Sequence, residues 1–214
     1  MVFHDRADAG RQLAAALASL TGPIVILAIP AGGVPVGYEI AKALRAPLDL
    51  CLAHKIGAPG NPEFAIGSVD ASGNLVLDDV AIATLSISRR YIAEAASRER
   101  EALAVRMERY RGDLPALELA GKLVVVVDDG LATGATALAA LKSLAGAGAA
   151  KRLFAAPVAS AEAIVRISPE ADDVVVLYAP SHFGAVGQFY KDFSQVGEEE
   201  VLSLLRRARG GFLP

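Results

Sequence analysis

The chain has 214 residues, enough for one generous domain or one domain with a substantial insertion. Its 53% hydrophobic content and mean hydropathy of +0.41 describe a large core rich in Ala, Val and Leu and exclude a disordered chain. A net charge of −3 weighs against nucleic acid as a partner, lone Cys51 excludes a disulfide framework, and no apolar run approaches the ~20 residues of a membrane span.

The N-terminus carries His4, Asp5, Arg6, Asp8 and Arg11, which the apolar stretch of a signal peptide would not tolerate. With a single cysteine, a cytoplasmic location is the expectation. Leu13, Leu17 and Leu20 mark one face of a first helix, from about Asp8 to Leu20. Strand Ile24 to Ile29 follows, then the turn Pro30-Ala31-Gly32-Gly33, then a helix from about Pro35 to Leu44. Leu48 to Ala53 reads as the second core strand, with His54-Lys55 at its end. Cys51 lies inside this apolar run, where a small buried hydrophobe is expected and not a nucleophile.

Residues 56–120 depart from the strand–helix rhythm and read as an insertion. Ile56 to Glu63 is a Gly/Pro-rich flexible loop, with Glu63 as either a substrate contact or a cap. Ile66 to Val80 reads as a hairpin turning at Ser72-Gly73-Asn74. A long helix spans Ser88 to Arg111, with Ile92, Ala96, Leu103, Met107 and Tyr110 as its buried stripe. Its other face holds seven arginines against four glutamates, a solvated surface sooner than a nucleic-acid face. Core strands resume at Leu123 to Val127, Leu153 to Val158 and Val174 to Ala179, with a helix from Ala135 to Leu144 between the first two. Residues 180–214 form a C-terminal hood ending in a helix from Glu198 to Arg209. The alternation predicts an α/β fold: one domain over residues 1–214, with a parallel five-stranded core sheet flanked by helices.

The chemistry concentrates in LVVVVDDGLATGAT, residues Leu123 to Thr136. Asp128 and Asp129 end a buried strand and can accept hydrogen bonds from sugar hydroxyls, each such charged bond worth ~1.5–3 kcal/mol. The loop Ala132-Thr133-Gly134-Ala135-Thr136 offers backbone N–H groups and hydroxyls at a helix N-terminus, where the macrodipole favours an anion. A ribose 5-phosphate satisfies both halves. No lysine follows Gly134 as a P-loop requires, and Gly130 breaks the Asp-x-Asp of a dehalogenase-type nucleophile. His4, His54 and His182 are too scattered for a metal cluster.

This segment resembles the phosphoribosyl-pyrophosphate (PRPP) signature of type I phosphoribosyltransferases. The ordering of the remaining motifs is similar to a bacterial group within that family, over nearly the whole chain. The resemblance implies a Mg²⁺-dependent transfer of ribose 5-phosphate from PRPP to a small acceptor. Asp128 and Asp129 would hold the ribose hydroxyls and the Mg²⁺, and Ala132 to Thr136 the 5-phosphate. Ala31, Gly32 and Gly33 would take the pyrophosphate, helped by Lys55 as a point charge. The position of Ala31 is often basic in the family, so its side chain removes a charge near the leaving group. An alternative is therefore a protein that binds PRPP or a nucleotide as a sensor, with weak catalysis or none. Phe183, Tyr190 and Asp192 are the expected acceptor-binding residues, the aromatics stacking on a planar base. The acid pair is expected to be exposed and without weight in stability. A homodimer through the Val34–Leu44 helix is also expected.

Overall fold

The computed structural model describes residues 1–70, 73–111 and 116–211. Helix α1 (Arg6–Ala16) begins at Asp5, whose carboxylate accepts the backbone N–H of Asp8, and leads to β1 (Ile24–Ala28). Helix α2 (Gly33–Leu44) follows, then the short β2 (Leu48–Leu50). The insertion comprises β3 (Ala53–Ala58), β4 (Asn61–Asp70), β5 (Leu75–Leu77), α3 (Asp79–Thr84) and α4 (Arg89–Arg111). The core resumes with β6 (Leu123–Val127), α5 (Ala135–Ser143), β7 (Lys151–Val158), α6 (Ala161–Ile167) and β8 (Asp173–Tyr178), and α7 (Glu198–Gly211) follows.

Strands β2-β1-β6-β7-β8 form one parallel sheet, as the alternation predicts. Successive residues of β6 feed opposite faces: Val125 and Val127 pack on the side of α1, α2 and α7, and Val124 and Val126 on the side of α5 and α6. Both faces are therefore covered, which is why the strands read as continuous apolar runs. The strand order reverses between β1 and β6. In open α/β sheets, ligands bind at the carboxyl ends of the strands beside such a switch point.

Three sequence expectations are corrected. The second core strand stops at Leu50, because β2 pairs only with the last three residues of β1. His54 and Lys55 sit instead on β3, in a separate antiparallel sheet ordered β3-β4-β5. The expected loop at 56–63 is the tip of a β3–β4 hairpin, with an irregular register around Gly57 and a turn at Pro59-Gly60. The Tyr91 hydroxyl of α4 donates to the Gly57 carbonyl, 2.9 Å away, tying this hairpin to the long helix. The second hairpin is present as β4–β5, with Gly73 at φ +87°; Ser72 lies outside the described residues. The helix expected to pair two copies is already buried in its own chain. Val34, Val36, Ile40 and Ala41 are fully covered, and α2 packs against both α1 and α7.

Candidate functional site

Two turns meet at the switch point. The turn after β1 is pinned to β6 by the Ile29 N–H, which donates to the Val127 carbonyl at 2.8 Å. The Pro30–Ala31 peptide bond is cis. A Cβ on Gly33 would stand 2.6 Å from the Val127 carbonyl oxygen, and one on Gly32 would overlap the carboxylate of Asp129. Both positions therefore need glycine for the close approach of the two strand ends. Gly32 consequently lies directly against Asp129 and Gly33 against the backbone of Val127 and Asp128, with Ala31 preceding them in the same turn.

The acid pair itself is not exposed. The Asp128 carboxylate accepts the backbone N–H of Asp129 at 2.8 Å. Burial, and then the charge of Asp129, push Asp128 well above the usual carboxylate range. Asp129 is taken up by Arg6, whose Nε donates to Oδ2 at 2.7 Å; the two side chains are only 11% and 13% exposed. Arg6 also donates to the Ser194 carbonyl at 2.8 Å, and its guanidinium lies 3.9 Å from the centre of the Phe193 ring. The expectation of exposed carboxylates without structural weight is thus wrong for Asp129. Arg6 is the charged residue that sequence reading missed. One signal was available: a cation at the first position of a helix opposes the macrodipole, so its placement calls for a tertiary reason.

The loop after the acids folds as predicted. Gly134, at φ +73°, caps α5, and the nine-residue helix presents its first N–H groups toward the loop. A cavity of about 180 Å³ is lined by Asp128, Gly130 and residues 131–137, with Val186 at its edge. Ala132, Thr133, Gly134, Ala135 and Thr136 all belong to it. Ser160 anchors this loop: its hydroxyl donates to the Ala132 carbonyl at 2.7 Å and accepts the Ala163 N–H as the cap of α6. Such a serine before a short helix is legible as a cap, but its grip on a loop 28 residues away is not.

Lys55 faces the same loop from the hairpin. It lines a second cavity, about 560 Å³, with His54, Glu99, Thr133, Ala135 and Thr136. His54 Nδ1 lies 2.7 Å from a carboxylate oxygen of Glu99 on α4. Glu63 falls on β4, and its side chain is outside the described part. A further cavity beside Cys51 is lined by Leu50, Leu52, Asp70 and Asn74, and burial, then the charges of Asp70 and Asp49, push this thiol up to about 12, which leaves it a poor nucleophile.

The three expected acceptor residues are not brought together. Tyr190 is buried; its hydroxyl donates to the Asp129 carbonyl at 2.6 Å and its ring packs on Phe3 and Phe193. It pins the hood to the acid pair and has no face left to stack on a base. Phe183 packs against Phe189 and lines a separate cleft with Pro180, His182 and Gln188. Asp192 is exposed, accepts the Ser194 N–H, and is held below its ordinary value chiefly by that bond.

A model of the phosphoribosyl transferase domain matches residues 3–194, from Phe3 just before the first helix to the Arg6 partner Ser194. The chain belongs to the phosphoribosyl transferase domain family. A protein of Mycobacterium tuberculosis named "putative phosphoribosyl transferase" is 41% identical over 212 residues, 99% of this chain. The chain spans about half the length of that relative, 48%. The crystal structure of TT1426 from Thermus thermophilus is 44% identical and superposes with a TM-score of 0.89, covering 96% of this chain and 98% of that one. A hypothetical protein from Neisseria gonorrhoeae shares the fold at 14% identity, with a TM-score of 0.51 over 97% of each chain. In this chain the carboxyl ends of β1 and β6 bring the acid pair and the Gly32-Gly33 turn together, and the antiparallel sheet brings Lys55 to the cavity it shares with Thr133 and Thr136.

Proposed function

We propose that this domain is a cytoplasmic, Mg²⁺-dependent phosphoribosyltransferase, moving ribose 5-phosphate from PRPP to a small nucleobase-like acceptor. One observation carries the reading: the helix-capped Thr133–Thr136 loop, Asp128 and the Gly32-Gly33 turn converge at the switch point of the sheet. A ligand bearing phosphate, vicinal hydroxyls and diphosphate in that order matches them. The 5-phosphate sits on the first N–H groups of α5, and the ribose hydroxyls meet Asp128. The diphosphate lies over Gly32 and Gly33, with Lys55 reaching the phosphate loop from the hairpin. The bond from sugar carbon 1 to the diphosphate oxygen breaks, and its electron pair leaves with pyrophosphate. A nitrogen lone pair of the acceptor then forms the new bond as that nitrogen gives up its proton. Asp128 stands where its negative end stabilises the cation-like carbon.

The donor set suits magnesium brought by the ligand. Carboxylate oxygens are its preferred protein ligands, and no group of three or more candidate metal ligands exists among the described residues. When bound, Mg²⁺ would neutralise diphosphate charge, with Asp128 and Asp129 as the protein oxygens nearest to hand.

The test is to offer PRPP, Mg²⁺ and a panel of bases and to measure pyrophosphate release. Release dependent on one base supports the enzyme. The engagement of Tyr190 with Asp129 and the lack of a cation in the Pro30–Gly33 turn favour the second reading, a PRPP- or nucleotide-binding sensor. PRPP binding by calorimetry without release from any base would support that reading instead.

A further inference from the structure

The Pro30–Gly33 turn, read above as the seat of a diphosphate, carries no cationic side chain and has the Asp129 carboxylate pressed against Gly32. A diphosphate there would meet an acid at close range. The countercharge comes from the other end of the chain. Arg6 holds the carboxylate oxygen that Gly32 makes room for, and the guanidinium is braced by the Ser194 carbonyl and the Phe193 ring. Tyr190, from the same hood segment, binds the backbone of Asp129. Helix α1, the hood and the acid pair therefore form one network, in which the Asp129 oxygen held by Arg6 is the one that lies against Gly32.

We propose that Arg6 is the cationic residue of the diphosphate half of the site, neutralising Asp129 in the free protein and countering the diphosphate when it occupies the Gly32-Gly33 turn. This rests on the phosphoribosyltransferase reading above. A guanidinium suits both tasks, because it stays charged while Nε holds the Asp129 carboxylate and Nη1 the Ser194 carbonyl, and its charge acts on the turn through space.

Two probes separate this role from a structural one: pyrophosphate, which occupies only the turn, and ribose 5-phosphate, which occupies only the phosphate loop and Asp128. Both are titrated with Mg²⁺ into the full chain by calorimetry. In Arg6→Gln, pyrophosphate affinity is expected to fall at least about tenfold while ribose 5-phosphate affinity changes less than about threefold. Arg6→Lys, which keeps the charge, is expected to recover most of the loss. If Arg6→Gln leaves the part-buried Asp129 without a counter-ion and the chain fails to fold, the double variant Arg6→Gln with Asp129→Asn replaces the ion pair by a neutral pair. It is expected to bind pyrophosphate at least about threefold more weakly than Asp129→Asn alone. Equal losses for both probes, or native-like pyrophosphate affinity in the folded variants, would overturn the role of Arg6 alone. A native protein that binds neither PRPP nor pyrophosphate would overturn the phosphoribosyltransferase reading, and this proposal with it.

Discussion

The two aspartates at the end of β6 look equivalent in sequence and differ in what surrounds them. Asp128 has backbone for a partner and is pushed upward by burial, so its ionised form costs stability. Because its folded value lies above the unfolded one, its contribution is fully present below the unfolded value and is lost as pH rises through the folded one. Asp128→Asn is therefore expected to raise the melting temperature at neutral pH and to leave it unchanged in acid, as read by calorimetric scans at both pH values. Asp129→Asn is expected to act in the opposite direction. It takes one charge out of a part-buried pair with Arg6, a change expected to cost less than the about 3–5 kcal/mol of a fully buried pair but more than an exposed one. Urea denaturation of the two single variants checks the opposite signs, and equal small effects would restore the view of two exposed acids.

At the scale of elements, helix ends place the chemistry. Helix α5 starts at Gly134 and aims its N–H groups at the loop, while α6 starts at Ser160 and holds that loop's carbonyl. The start of α1 matters in the same way, because Arg6 is its first residue and Asp5 its cap. Asp5→Ala is expected to cost about 1 kcal/mol, typical of a lost N-cap, and to loosen the Arg6 contact with it. The Asp5 carboxyl is lowered first by the Asp8 N–H, so the cap's contribution is present above the unfolded value and fades as pH falls through the folded one. Denaturation of native and Asp5→Ala protein should therefore converge in strong acid. Asp5→Asn, which can still accept the N–H, should lose much less at neutral pH.

Across the whole molecule, the ends of the chain close over the middle. Phe3 pairs with the hood at Tyr190, and α7 covers α2 with Val201, Leu205 and Ala208 buried. The apolar residues of the expected dimer helix are thus largely covered within one chain, and exposed apolar residues stand instead on the antiparallel sheet, at Phe64, Leu75 and Leu77. Leu205→Ala, at 1% exposure, is expected to destabilise the chain by about 2–5 kcal/mol, measured as a shift in urea midpoint with the slope preserved. A change below about 0.5 kcal/mol, the usual effect of a surface position, would mean that α7 is dispensable to the core.

What is local could be read from the chain alone. The five core strands showed as apolar runs because both faces of the sheet are covered, and the Asp128–Thr136 loop was legible because strand, acids, glycine and helix follow one another within a few residues. What spans the chain emerged only on folding. The β3–β4 pairing was hidden, since Pro59, Gly60 and Pro62 read as loop until a partner strand lies alongside. Tyr190 looked like a base-stacking residue until its hydroxyl met Asp129, 61 residues away. Arg6 and Asp129 stand 123 residues apart, and no periodicity or spacing couples them. Only the packing of α1 against α2, β7 and β8 puts that guanidinium against the acid, because a charge contact depends on distance in space and leaves no pattern along the chain.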